Sequence, residues 1–355
     1  VYIKYLFFLF FKSFFYVLGV MASLVFILNL LGEIEFFRDL NISANFTLVL
    51  SLLNSPDMIF EMFPFIFLIT SQLFFINLYN NNEIEILKYS GLKNIKILFV
   101  LGGVSFLTGL FIILFFYNVS ANLKNFYLEL KSQYTTDGKY LAVVTKNGLW
   151  IRDKINNKTL VINSSKIENN YLIDNFITEF DENYDVLRNI KSEKIDISNK
   201  EWKIFNSKIF IKNNYNFQEE TKLITNFDYK RIQTLYSNLS SLNIFQLFEL
   251  KKNYEKLNYS TTEVNLQILR LLSNPIYLVL MSIFSALIMF KIKRFDSATL
   301  KISIGLFFSV VIYYINNFFY VLGSTERISI NLSIFLPLLI LAVTNGLMII
   351  KVNEK

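Results

Sequence analysis

The stretch NNNEIEILKYSGLKNIK, Asn80 to Lys96, is a short charged segment between two long apolar runs, Met58–Tyr79 and Ile97–Tyr117. A segment so placed turns at one face of a membrane. Its own pattern is helical over about two turns, with Ile84, Leu87 and Tyr89 set among Glu83, Glu85 and Lys88. Asn82 fits an N-cap, and Glu83 and Glu85 fall in the first turn, where the helix dipole favours anions. Gly91 suits the left-handed position that ends a helix. Two readings stand: a solvated loop whose lysines set topology, or a small amphipathic helix over 82–91 that docks in a groove on another protein.

Six apolar runs are long enough to cross a bilayer, which takes about 20 residues each. They are Tyr5–Leu31, Met58–Tyr79, Ile97–Tyr117, Leu266–Phe290, Leu300–Leu322 and Ile328–Ile350. The chain of 355 residues is 53% hydrophobic, with mean hydropathy +0.41. The first run is too long for a signal-peptide core and no small-residue cleavage site follows, so it reads as a retained helix. Lys4, Lys12, Lys88, Lys93, Lys96, Lys291, Lys293, Arg294, Lys301, Lys351 and Lys355 all fall on one side of the expected spans. By the positive-inside rule that side is cytoplasmic, with both termini and the Asn80–Lys96 loop.

The polar remainder, Asn118–Asn265, is too long for a loop and reads as a domain on the opposite side. Period-two alternation predicts strands at Tyr140–Thr145, Leu149–Arg152, Thr159–Ile162, Tyr171–Phe180, Asp185–Ile190, Lys194–Ile197, Trp202–Phe205, Lys208–Ile211 and Glu220–Thr225. Turns are expected at Lys146–Gly148 and Asn156-Asn157. Many short strands at this spacing indicate an all-β sandwich, jelly roll or barrel. Ser241–Leu257 changes to helical period, and Pro275 kinks the fourth span or marks its entry. The organisation is therefore helices over 1–117, a β domain over 118–240, connecting helices over 241–265 and further spans over 266–355.

The chain has no cysteine and no histidine, which removes disulfides, thiolate metal sites and the commonest general base. The sole Gly-Lys pair, Gly138-Lys139, lacks the upstream glycine of a P-loop. No metal or cofactor is expected. The net charge of +7 does not point to nucleic acid, because basic and acidic residues interleave. Glu61 is the one carboxylate inside a span, near its outer end, and Asn316 and Asn317 lie in the fifth.

The layout is an α-helical membrane protein with an inserted all-β domain. With particular motifs, it resembles the lipopolysaccharide export permeases of the LptF/LptG family. The motifs are Met62-Phe63-Pro64-Phe65, Asn82–Gly91, Gly148-Leu149-Trp150-Ile151-Arg152-Asp153, Glu201-Trp202-Lys203-Ile204, and a helix followed by Pro275. The Arg294-Phe295 link and the plain C-terminus lean toward LptG. The resemblance implies a heterodimer with a second LptF/LptG-type permease and two copies of an LptB-type ATPase. It further implies transfer of lipopolysaccharide from the inner membrane to a periplasmic bridge with LptC and LptA. Glu83, Ile84, Glu85, Leu87, Lys88 and Gly91 would couple to the ATPase. Acyl chains would follow an apolar β trough, for which Val143, Ile151 and Ile173 are candidates. Relatives carry several basic residues after the first span, where lipid phosphates dock; here only Arg38 follows Glu33 and Glu35. Trp150 and Trp202 are expected in the β-domain core. Other ABC permeases with large outer domains usually have four spans with the domain after the first, and a membrane-anchored scaffold would need one span rather than six.

Overall fold

The computed structural model describes residues 2–38, 42–132, 134, 149–155, 158–168, 170–211, 214–229, 232, 238–257, 259–291 and 298–353. They form two compact units: Val1–Lys124 with Thr262–Lys355, and Asn125–Thr261.

In the first unit α1 (Tyr2–Phe36) and α2 (Ala44–Asn80) are followed by the seven-residue α3 (Glu83–Tyr89). Next come α4 (Asn94–Phe111), a π-helical segment (Ile112–Tyr117) and α5 (Asn118–Ser132). Six described helical stretches are long and apolar enough to span a membrane, the third of them Asn94–Lys131. Two differences from sequence expectation are plain. The helix that was expected to open at Met58 starts at Ala44 and runs through Pro56 and Pro64. Asn29 Nδ2 and Ser55 Oγ both donate to the Ser51 carbonyl, at 2.9 and 2.5 Å, beside the proline. Asp57, read as a loop residue, lies inside α2 and pairs with Lys124 at 3.4 Å. The 118–132 stretch continues the third helix instead of opening the β domain.

Helix α7 (Thr262–Lys291) is the hub of this unit, with α8 (Ala298–Ser324) and α9 (Ile330–Asn353) following it. Polar side chains tie it to three neighbours where lipid offers no competing partner. Ser105 donates to Ser282 at 2.9 Å, Ser285 to the Leu68 carbonyl at 2.7 Å, and Asn345 to the Leu280 carbonyl at 2.9 Å. Pro275 sits within α7, and a Cβ on Gly109 of α4 would come within 3.0 Å of its Cα, so this crossing needs glycine. Phenylalanines join α1 to α2, with Phe14 and Phe67 rings 5.5 Å apart.

In the second unit six strands form one antiparallel sheet in sequence order: β1 (Leu149–Ile155), β2 (Lys158–Glu168), β3 (Tyr171–Phe180), β4 (Val186–Asp196), β5 (Glu201–Ile211) and β6 (Asn214–Ile224). Asp185–Ile190 and Lys194–Ile197 were read as separate strands, as were Trp202–Phe205 and Lys208–Ile211. Each pair is one strand up to the ladder's end, because Ser192, paired with Asn175, and Ser207, paired with Gln218, are buried ladder residues and not turn residues. Ile151, Ile162, Ile177, Ile190 and Ile209 pair one to one across five strands, and all are buried. Next to this row a polar one crosses the same face: Ser164 donates to Asn175 at 2.6 Å, and Ser207 and Thr221 hydroxyls lie 2.9 Å apart. Asp174 and Asn206 take positive φ, 51° each, where the inward alternation skips a residue. A helix α6 (Ile244–Leu257) follows the sheet.

Trp202 is buried, its Nε1 donating to the Phe227 carbonyl at 2.8 Å, as expected of a core residue. Trp150 is not a core residue: it is 53% exposed. The pleat decides this. Leu149, Ile151 and Asp153 point inward, so Trp150 and Arg152 must point outward. The expected strand Tyr140–Thr145, the turns at Lys146–Gly148 and Asn156-Asn157, and Val143 lie outside the described residues.

Candidate functional site

Helix α3 is built as the loop composition suggests, and its end is well defined. Leu92 N–H donates to the Leu87 carbonyl at 3.0 Å and Gly91 N–H to the Lys88 carbonyl at 2.9 Å. With Gly91 at φ 82° this is the Schellman termination. At the other end Asn82 holds the N-cap position in a left-handed conformation, φ 56°, and its side chain makes no capping bond. Instead Asn81 Nδ2 donates to Glu83 Oε1 at 3.2 Å, and the Tyr5 hydroxyl donates to Glu83 Oε2 at 2.5 Å. The start of α1 and the whole of α3 therefore lie at one end of the first unit. Tyr2, Tyr5, Leu87, Gly91, Leu92 and Lys96 line a groove there.

The faces of α3 differ from a simple reading of its composition. Ile84 is 2% exposed and belongs to the protein's own packing. Leu87 is half-buried, while Glu85 and Lys88 are exposed. Ile86 at 61% and Tyr89 at 91% exposure, three positions apart, make the outward apolar face. Sequence reasoning picked Ile84 and Leu87 as the apolar anchors because a two-turn helix has no long periodicity to orient it.

In the sheet, Ile151 lies in the buried isoleucine row. Ile173 is half-buried and lies beside Asp174, where the alternation shifts, so it is outside that row. Asp153, at the end of the Gly148–Asp153 motif, is buried and accepts from Asn226 N–H and Asn226 Nδ2, both at 2.8 Å, and from Lys154 N–H at 2.9 Å. It ties β1 to the segment that follows β6. Glu179 on β3 is buried between Lys158 at 2.8 Å and Arg188 at 2.5 Å. Burial pushes its carboxyl pKa up, but the hydrogen bonds and charges of Lys158 and Arg188 outweigh this and hold it below the ordinary value. Arg38 is exposed in the turn after α1.

A further site escaped the sequence reading. Glu61 on α2 is ion-paired with Arg270 on α7, and Arg270 also lies 5.5 Å from the Tyr320 ring centre. The pair opens on a cavity of about 150 Å3 between α2, α7, α8 and α9. Asn316 and Asn317, noted in the sequence as isolated polar residues, line the same cavity. Arg270 lies within the expected span Leu266–Phe290, and nothing local in the sequence shows that it meets Glu61.

The family model for the lipopolysaccharide export system permease LptF/LptG matches residues 4–351. The chain belongs to the LptF/LptG family. As such it is a lipopolysaccharide export permease, a multi-pass inner-membrane transport component and not an enzyme. The match covers both permeases together and does not separate LptF from LptG. A search of curated proteins finds no match.

Proposed function

We propose that this chain is one of two paired permeases that lift lipopolysaccharide out of the inner membrane, with a separate LptB-type ATPase dimer supplying the energy. One observation carries the reading: the LptF/LptG match extends through the helices, α3 and the inserted sheet alike, over residues 4–351. The second permease is another LptF/LptG-type chain, and the lysine bias of the short loops supports an orientation with both termini cytoplasmic. The sheet then lies in the periplasm and hands cargo to LptC and LptA.

Each candidate residue takes a role under this reading. Ile86 and Tyr89, with Glu85 and Lys88 beside them, present α3 to the ATPase. Glu83, Ile84, Leu87 and Gly91 hold α3 to its own unit and transmit the push. Acyl chains follow the isoleucine row that includes Ile151, with Ile173 and, from outside the described residues, Val143 as further candidates. Arg38 is the cation available to a lipid phosphate at the end of α1.

The test is purification of the tagged chain from native membranes in mild detergent. Recovery of a P-loop ATPase and a second six-span chain with a mid-chain β domain is expected. A chain that purifies alone, or with no ATPase, sinks the transport reading.

A further inference from the structure

One face of α8 is polar in an otherwise apolar helix. Tyr313, Asn316, Asn317 and Tyr320 recur at i, i+3, i+4 and i+7. Helix α7 answers with Gln267, Arg270 and Asn274 at i, i+3 and i+7, and all seven residues line the cavity that Glu61 borders from α2. Polar side chains within membrane spans are costly, and those kept there mark function or packing. A packing role would seal the charged pair. Here Arg270 and Glu61 keep side-chain exposures of 41% and 42% while lining an open cavity.

The donor set selects the ligand class. Arg270 is neutralised by Glu61, so no uncompensated positive charge remains for a phosphate, and the carboxylate repels one. A carboxylate, a guanidinium and carboxamides together offer donors and acceptors side by side, the complement of neighbouring hydroxyl groups. The tyrosines add flat apolar faces with a polar tip. A cavity of about 150 Å3 is the size that takes one six-membered ring.

We propose that this cavity binds a single uncharged sugar ring carried on a membrane lipid. The proposal deepens the reading of the chain as a lipid-handling permease and rests on it for the source of that lipid, which is either the cargo itself or a resident neutral glycolipid.

The test uses the full chain in phosphatidylglycerol nanodiscs doped equally with monoglucosyl diacylglycerol and phosphatidic acid. Native mass spectrometry then reads which lipid stays bound. The expected result is enrichment of the glucosyl lipid over phosphatidic acid by about tenfold, the span of one modest hydrogen-bond set. Asn317→Ala, which removes a hydroxyl partner without opening the helix, and Asn316→Ala, which also frees the Tyr277 hydroxyl from its hydrogen bond, should each bring the ratio toward parity. Parity in the unmodified chain, preference for phosphatidic acid, or a ratio untouched by both substitutions overturns the proposal. A second arm adds lipopolysaccharide as competitor. Displacement of the glucosyl lipid assigns the site to cargo, and retention assigns it to a resident glycolipid. No ATPase or export step enters either arm, so this site can fail while export stands, and export can fail while the site stands.

Discussion

The Tyr5 hydroxyl reaches across 78 positions of sequence to donate a 2.5 Å hydrogen bond to the Glu83 carboxylate. It joins the first turn of α1 to the first turn of α3. A short helix at the end of a bundle has few contacts of its own, so this bond sets where α3 sits relative to the N-terminal helix α1. Tyr5→Phe removes it and keeps the ring. A single hydrogen bond is worth about 0.5–1.5 kcal/mol net, so amide exchange over residues 83–91 should speed up by roughly threefold to tenfold. Exchange in α7 should be unchanged. Equal protection of α3 in both proteins would mean that its position is set elsewhere.

Substitutions on α3 should divide by face. Tyr89→Ala and Ile86→Ala remove the exposed apolar face, and a truncated anchor costs at least about 2 kcal/mol where it is a hot spot. Loss of ATPase recovery by more than about tenfold is expected at matched permease level. Ile84→Ala acts differently, since a buried isoleucine truncation costs about 2–5 kcal/mol of the unit's own stability. Its expected signature is lower yield or thermal stability. If Ile84→Ala alone lost the ATPase while Tyr89→Ala kept it, the outward face would be wrongly assigned.

In the β unit, Asp153→Ala leaves the Asn226 donors without their buried acceptor. Each unmade buried bond costs about 1–3 kcal/mol, so the sheet should unfold at lower denaturant. Tryptophan fluorescence reads this directly, because the chain has two tryptophans and Trp202 lies in the core next to the affected segment. A midpoint equal to that of the unmodified protein would show that Asp153 does not hold β1 to the segment after β6.

Glu179 gives the same unit an acid-sensitive contact. Its carboxyl pKa is lower in the folded chain than in the unfolded one, so the unfolded state takes up the proton first as pH falls. The stabilisation is full above the ordinary carboxylate value of about 4.3 and is lost as pH drops through the lower folded value. Glu179→Gln should be less stable at neutral pH, where Lys158 and Arg188 lose their anion, and should show a shallower loss between neutrality and acid. Parallel stability curves for the two proteins would remove this carboxylate from the account.

Much of this architecture is legible in the sequence, because hydrophobic run length and period-two alternation are one-dimensional signals. The loop at Asn80–Lys96 and the stop at Gly91 follow from local chemistry, and Gly91 takes the left-handed conformation expected of it. What local chemistry misleads on is tertiary. Pro56 and Asp57 look like a loop, yet partners from α1 and the end of the third helix hold them inside α2. Asn206-Ser207 looks like a turn, yet Ser207 finds its partners across the ladder in β6. The orientation of Ile84 against Ile86, and the meeting of Glu61 with Arg270, depend on packing between distant segments that periodicity does not encode.

Transfer by a reconstituted complex measures directly whether this chain exports lipopolysaccharide. The chain, a second LptF/LptG-type permease and the LptB-type ATPase are placed in liposomes loaded with lipopolysaccharide, and a soluble periplasmic β protein with a photo-crosslinker is added outside. Crosslinked lipopolysaccharide should accumulate with ATP, not with a non-hydrolysable analogue, and should fall when Tyr89→Ala is introduced. Steady ATP hydrolysis with no lipopolysaccharide reaching the acceptor would contradict export by this chain.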